Sequence, residues 1–168
     1  MIKLNHVVVL AWIVSTVLAF MLLSFERLKQ FDPTGHLKGL SAIEFGQLLD
    51  REFDSDLSQT IIHFSQPECA CNNASQQHVQ QLNKLASEHM FKVRDVNVAQ
   101  INLVPSSPSV AIIDKQGKVV YFGPYGEGLE CANTKGFAIT VFKNLLHGFS
   151  AELIVENAQG CYCNQKLG

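Results

Sequence analysis

Five cysteines, Cys69, Cys71, Cys131, Cys161 and Cys163, are the residues of this chain best able to do chemistry. Four of them form two Cys-x-Cys pairs, 69/71 and 161/163, a clustering that random placement seldom produces. A thiolate can attack a disulfide, bind a soft metal ion or close a structural bridge, so the surroundings must decide among these. Structural disulfides in an exported domain are the plainest reading. The position of Cys69 and Cys71 favours reactivity. They follow the β-branched and aromatic run Thr60-Ile61-Ile62-His63-Phe64, expected as a buried strand, and precede a helical pattern over 73–90 with Val79, Leu82, Leu85 and Ala86 on one face. A thiol at a helix N-terminus meets unpaired N–H groups and the positive end of the helix dipole, both of which favour its ionised form.

An i, i+2 disulfide demands a bent chain to bring its Cα atoms to about 4.4–6.8 Å, and such a strained bond suits exchange better than stapling. Either Cys69 and Cys71 pair in this way, with Cys71 resolving what Cys69 attacks, or Cys71 pairs elsewhere and Cys69 is a lone nucleophile.

Around these residues the remaining pattern is regular. Ser41 and Glu44 have capping-box spacing ahead of Phe45, Leu48 and Leu49, which predicts a helix. Phe91–Val98 reads as a second strand. Ser109–Asp114 and Val119–Phe122 read as a hairpin around Lys115-Gln116-Gly117-Lys118, and 133–147 as a last amphipathic helix carrying Phe137, Val141, Leu145 and Leu146. The order α, β, α, β, loop, β-hairpin, α predicts an α/β layered domain.

Val7–Phe25 is a run of nineteen residues without a charge. As a helix it rises about 28 Å, close to the thickness of a bilayer's hydrocarbon core. Val17-Leu18-Ala19 has the small-residue character of a signal cleavage site, but the apolar run continues through Phe20–Leu23, which favours a retained anchor. Basic residues on both flanks leave the orientation open. The chain therefore divides into an anchor (1–27), a Pro/Gly-containing tether (28–40), the α/β domain (41–148) and a cysteine-bearing tail (149–168). With 13 Lys+Arg against 15 Asp+Glu and a net charge of −2, no basic stripe is present, so nucleic acid is not an expected partner. Composition at 47% hydrophobic and 17% charged excludes a disordered chain. No P-loop, dinucleotide fingerprint or nucleophile elbow occurs, no cofactor is expected, and Asp54 and Asp56 read as a solvated turn.

The segment 41–148 resembles the thioredoxin-like superfamily. Phe64-Ser65-Gln66-Pro67-Glu68-Cys69 puts a cysteine five residues after the aromatic end of a strand. Ser107-Pro108-Ser109-Val110-Ala111 matches the family's cis-proline before an antiparallel strand, 39 residues after Cys69, and Gly123 matches its glycine after the hairpin. The departures are Asn72 where the second cysteine of Cys-x-x-Cys belongs, with Cys71 one residue early, and His63 in place of the family's buried acid. The resemblance implies a three-layer domain with a mixed central sheet. It also implies thiol–disulfide exchange on protein thiols or disulfides, through Cys69 and Cys71, with Pro108 shaping the substrate groove. His63 is read either as a proton carrier or as an ordinary core residue. The anchor and cysteine usage resemble bacterial periplasmic thioredoxin-like proteins, which implies a single-pass inner-membrane protein with its domain in the periplasm.

On the family's fold, the glycine-rich loop Gly123–Cys131 shares the face of the redox motif. The tail is long enough to return to it, so a bridge from Cys131 to Cys161 or Cys163 is expected. Two other functions compete. A soft-metal binding or copper-delivery protein would use Cys69 and Cys71 with a nearby histidine such as His63 or His78, although His78 reads as solvated on a polar helix face. A thioredoxin-like interaction module would keep the fold without the chemistry. Nothing in the sequence separates reductase, oxidase and isomerase.

Overall fold

The structure is a computed structural model, and it describes residues 4–25, 28–128 and 136–166. Helix α1 (Leu4–Phe25) contains the span Asn5–Leu22, with mean hydropathy 2.0 and none of it buried; it is long and apolar enough to cross a membrane. Strand β1 (Lys29–Gln30) follows, then helix α2 (Ala42–Phe53), opened by the expected capping box. The Ser41 hydroxyl accepts from the Glu44 amide at 3.2 Å, and the Glu44 carboxylate accepts from the Ser41 amide at 2.9 Å.

Next come β2 (Thr60–Ser65), α3 (Cys71–Glu88), β3 (Lys92–Asn97), β4 (Ser106–Ser107), β5 (Ser109–Ile113) and β6 (Val119–Gly123). Helix α4 (Phe137–Leu146) and three short strands close the chain: β7 (Leu153–Ile154), β8 (Gln159–Gly160) and β9 (Cys163–Asn164). The domain is α/β with a mixed five-stranded sheet in the order β3-β2-β5-β6-β7. β2 runs parallel to β3 and antiparallel to β5, β5 antiparallel to β6, and β6 parallel to β7.

Side chains alternate across this sheet, and both of its faces are covered. Ile62, Phe64, Ala111, Ile113 and Phe122 point to the α2 side, where they meet Phe45, Leu49, Phe31 and Tyr162. Ile61, Val110, Ile112 and Val120 point the other way, against Leu82 and Ala86 of α3 and Val141 and Phe142 of α4. The β5–β6 hairpin is fixed as expected. The Asp114 carboxylate accepts from the Gln116 and Lys118 amides at 2.8 and 2.9 Å, and Gly117 supplies φ 78°.

Three features depart from the expectations. Residues 28–40 are more than a tether, because Phe31 and Leu37 are buried and the Phe31 amide donates to the Ala158 carbonyl at 2.9 Å. The tail is woven into the fold: β7 extends the main sheet, β8 pairs with β1, and β9 pairs with β4. Buried Ala158 and Tyr162 hold it there. His78, expected in solvent, is 1% exposed and stacks on Tyr125 with ring centroids 6.2 Å apart.

Candidate functional site around two nested disulfides

The site forms where β2 ends and α3 begins. Between them the chain turns tightly: the Cys69 amide donates to the Gln66 carbonyl at 3.0 Å and the Asn72 amide to the Cys69 carbonyl at 3.1 Å. Asn72 also donates its side-chain amide to the Gln66 carbonyl at 2.7 Å. Asn72 thus fastens the turn. Its Oδ1 is buried without a hydrogen-bond partner. At the N-terminus of α3, Ala70 provides no side-chain cap, so the sulfur-bearing residues sit beside helix amides that no capping side chain engages.

The opposite wall is β4 and the cis Ser107–Pro108 peptide that joins it to β5. The Cys69 sulfur lies 3.8 Å from the Ser107 carbonyl oxygen. Strand β9 runs antiparallel along this wall, with Ser106 opposite Asn164 and Ser107 opposite Cys163. The Asn164 side-chain amide donates to the Ser106 hydroxyl at 2.7 Å and to the Gln30 carbonyl at 2.8 Å, and the Gln165 amide donates to the Pro105 carbonyl at 2.8 Å. Tyr162, between the two tail cysteines, points inward, where its hydroxyl donates to the Gly126 carbonyl at 2.8 Å and its ring meets Phe31 edge-on.

This arrangement joins the two Cys-x-Cys pairs to each other. Cys69 is bonded to Cys163 and Cys71 to Cys161, with Cα separations of 5.9 and 5.5 Å. The expected bridge from Cys131 to the tail is therefore not formed. Both tail cysteines are committed to the α3 pair, because the β4–β9 ladder delivers Cys163 to Cys69 and turns Cys161 toward Cys71. Cys131 itself lies outside the described residues. Cys69 and Cys71 likewise do not bond to each other, since each has a tail partner. Cys69 is 6% exposed, whereas Cys71, Cys161 and Cys163 are partly exposed. The sulfurs of Cys69, Cys71 and Cys163 all lie within 4.8 Å of one another, the one cluster of metal-ligating type found among the described residues.

Behind the disulfides, His63 projects from β2 toward α3. Its Nε2 donates to Asn83 Oδ1 at 2.7 Å, which leaves Nδ1 to accept from the Tyr125 hydroxyl at 2.5 Å. Burial pushes the imidazole pKa down, against smaller upward pulls from the Asn83 hydrogen bond and the Asp95 carboxylate across the β2–β3 register. Burial also raises the Tyr125 phenol well above its ordinary range. Both groups are held neutral near pH 7. His63, Asp95, Asn72, Ser75, Tyr125 and Pro108 are among the residues lining a cavity of about 280 Å³ beside the first turn of α3. Tyr125, Asn83 and Tyr162 were not singled out by sequence reasoning. An aromatic residue between the tail cysteines was the one visible signal.

A sequence-family match covers residues 42–165, from the start of α2 to just past the second tail cysteine. The chain belongs to the DUF6436 family, a domain of unknown function. Both cysteine pairs, Pro108 and His63 lie inside the DUF6436 region, and α1 precedes it. No curated protein and no solved structure matches the chain.

Proposed function

We propose that this chain is a membrane-tethered thiol–disulfide exchange protein of thioredoxin-like fold, with its own C-terminal strand lying where a substrate strand would lie. One observation carries the reading. The Cys69–Cys163 bond is flanked by a strand pairing on the residue that precedes a cis-proline, at the head of a helix that follows a buried strand. The parallel β2–β3 pair joined through α3, with β5 and β6 antiparallel beside it, supports the fold assignment. Two disulfides suit an oxidising compartment, and the periplasmic side of an inner membrane is such a compartment.

The order of events follows from which bridge has both sulfurs within reach. Cys71 and Cys161 are both partly exposed, whereas the other bridge has one partner, Cys69, buried, so a partner thiolate is taken to attack Cys161 first. It attacks the Cys161 sulfur, a mixed disulfide forms there, and Cys71 leaves as a thiolate stabilised by the α3 amides. A second partner thiolate then attacks the mixed disulfide on the partner's sulfur. The partner is oxidised to a disulfide, and Cys161 and Cys71 retain the two electrons and take up the two protons. The freed Cys71 thiolate lies within 4.8 Å of the Cys69 and Cys163 sulfurs, so the second bridge is within reach of intramolecular exchange. His63 and Tyr125 hold the floor of the adjacent cavity through neutral hydrogen bonds.

The test is a titration of the full chain in a graded glutathione buffer, with differential alkylation and peptide mapping. Cys71–Cys161 is expected to open at a less reducing potential than Cys69–Cys163, with both open within the glutathione range. If both bridges survive below about −300 mV, where structural disulfides typically lie, they are staples and the exchange reading is wrong.

A further inference from the structure

We propose that the reduced protein binds one zinc ion through Cys69, Cys71, Cys161 and Cys163, so that one set of sulfurs alternates between two disulfides and a tetrathiolate metal site. The inference does not depend on exchange activity, since it requires only that the tail stay in place once its covalent bonds are gone.

The docking of the tail meets that requirement. Tyr162 is buried and donates to the Gly126 carbonyl, β9 pairs with β4, and β8 pairs with β1. The Gln165 amide is bonded to Pro105, and Asn164 is bonded to Ser106 and Gln30. None of these contacts involves sulfur. Gly160 shows how closely the tail fits: a Cβ there would lie 3.3 Å from the Gly128 carbonyl oxygen. Opening both disulfides therefore leaves the 161–163 segment, held by the β4–β9 ladder, facing the 69–71 segment at the head of α3.

Distances and charge agree with a metal site. Tetrahedral zinc with Zn–S near 2.3 Å places its sulfurs about 3.8 Å apart. Three of the four sulfurs already lie within 4.8 Å of one another, and Cys161 is bonded to one of them. Each bonded pair need only separate by roughly 2 Å, which side-chain rotation supplies on Cα atoms 5.5 and 5.9 Å apart. The helix amides at the head of α3 face the negative charge of the thiolates. The chemistry balances with a dithiol as reductant. Two dithiol molecules become two disulfides and pass four electrons and four protons to the protein sulfurs, and zinc then displaces the thiol protons into solvent.

The experiment reduces the full chain in detergent micelles with a dithiol, removes the reductant, adds Zn²⁺ and measures metal retained per chain. One zinc per chain is expected, with all four cysteines shielded together from alkylation. The air-oxidised protein should retain none, and Cys131→Ser should bind as the parent does. Cys163→Ser, which can be checked for folding while Cys71–Cys161 is still intact, should weaken retention by more than the roughly 10- to 100-fold typical of losing a supporting hydrogen bond. Co²⁺ in place of zinc should give the intense visible absorption of a tetrahedral tetrathiolate. The proposal is overturned if the reduced parent retains no zinc, if Cys163→Ser binds equally well, or if the cobalt spectrum reports fewer than four thiolates. None of these outcomes bears on the glutathione titration.

Discussion

Because the two disulfides are nested, removing both should cost far more than the sum of removing each. The bridges span 94 and 90 residues of sequence. By the chain-entropy relation, either one formed alone in the unfolded chain stabilises the fold by about 4.7 kcal/mol. Once one is closed, the other closes only the small ring made by the two Cys-x-Cys segments, and the same relation gives about 1.9 kcal/mol. Loss of one bridge through Cys71→Ser/Cys161→Ser should thus cost about 2 kcal/mol, and so should Cys69→Ser/Cys163→Ser, whereas the quadruple variant should lose about 6.5 kcal/mol. The assay is urea unfolding of the full chain in detergent at constant pH, with matched m-values showing that one transition is being compared. If the two pairwise losses add up to the quadruple loss within about 0.5 kcal/mol, the bridges act independently and the entropic argument fails.

Tyr162→Phe leaves the buried Gly126 carbonyl without its donor; it should destabilise the domain by roughly 1–3 kcal/mol and speed thiol trapping of Cys161 under mild reductant, read by mass mapping. His63 stays neutral in the fold with a pKa below its ordinary value of about 6.5, so below that pH the unfolded chain takes up a proton that the native state refuses. Stability should therefore fall as pH drops from about 6.5 toward the lowered folded value, by at most about 1.4 kcal/mol per pH unit, and His63→Gln should flatten that part of a melting-temperature profile. Gly136→Ala would set a Cβ 2.2 Å from the Tyr125 carbonyl oxygen and 2.9 Å from the His78 ring; a loss of at least about 1–3 kcal/mol in thermal unfolding is expected, and an unchanged melting temperature would show that the packing here yields.

Regular elements were legible in the sequence because they rest on periodicity. The Ser41–Glu44 box, the β-branched run at 60–64 and the 115–118 turn each declare a local geometry that the packed domain keeps. The helix expected over 73–90 begins two residues earlier, at Cys71, because the Gln66 carbonyl and Asn72 fasten the turn directly onto it. The strand expected over Phe91–Val98 contracts to Lys92–Asn97, an edge strand where Val96 is buried and Val93 is 40% exposed. What the sequence concealed was long-range. Strands of two residues, such as β1, β4, β8 and β9, carry no period and exist only through their partners. The cysteine pairing depends on the ladder that two of them form, so the resemblance and the tail's reach pointed to Cys131 instead. His78 misled for a related reason: its neighbours on α3 are polar, but Tyr125 and Gly136 arrive from distant sequence to cover it.

The pairing of β1 with β8 limits where the sulfur chemistry can take place. Lys29 is opposite Gly160, the residue immediately before Cys161, and only four peptide links separate Lys29 from Phe25 at the end of α1. Fully extended, those links reach about 14 Å. If α1 spans the bilayer, as the proposed function has it, residue 160 is leashed within a short reach of the membrane surface, and the disulfides stay close to it. Under the proposed function, a partner that exchanges thiols with this domain would have to meet it near the membrane, which would favour partners that are themselves membrane-bound.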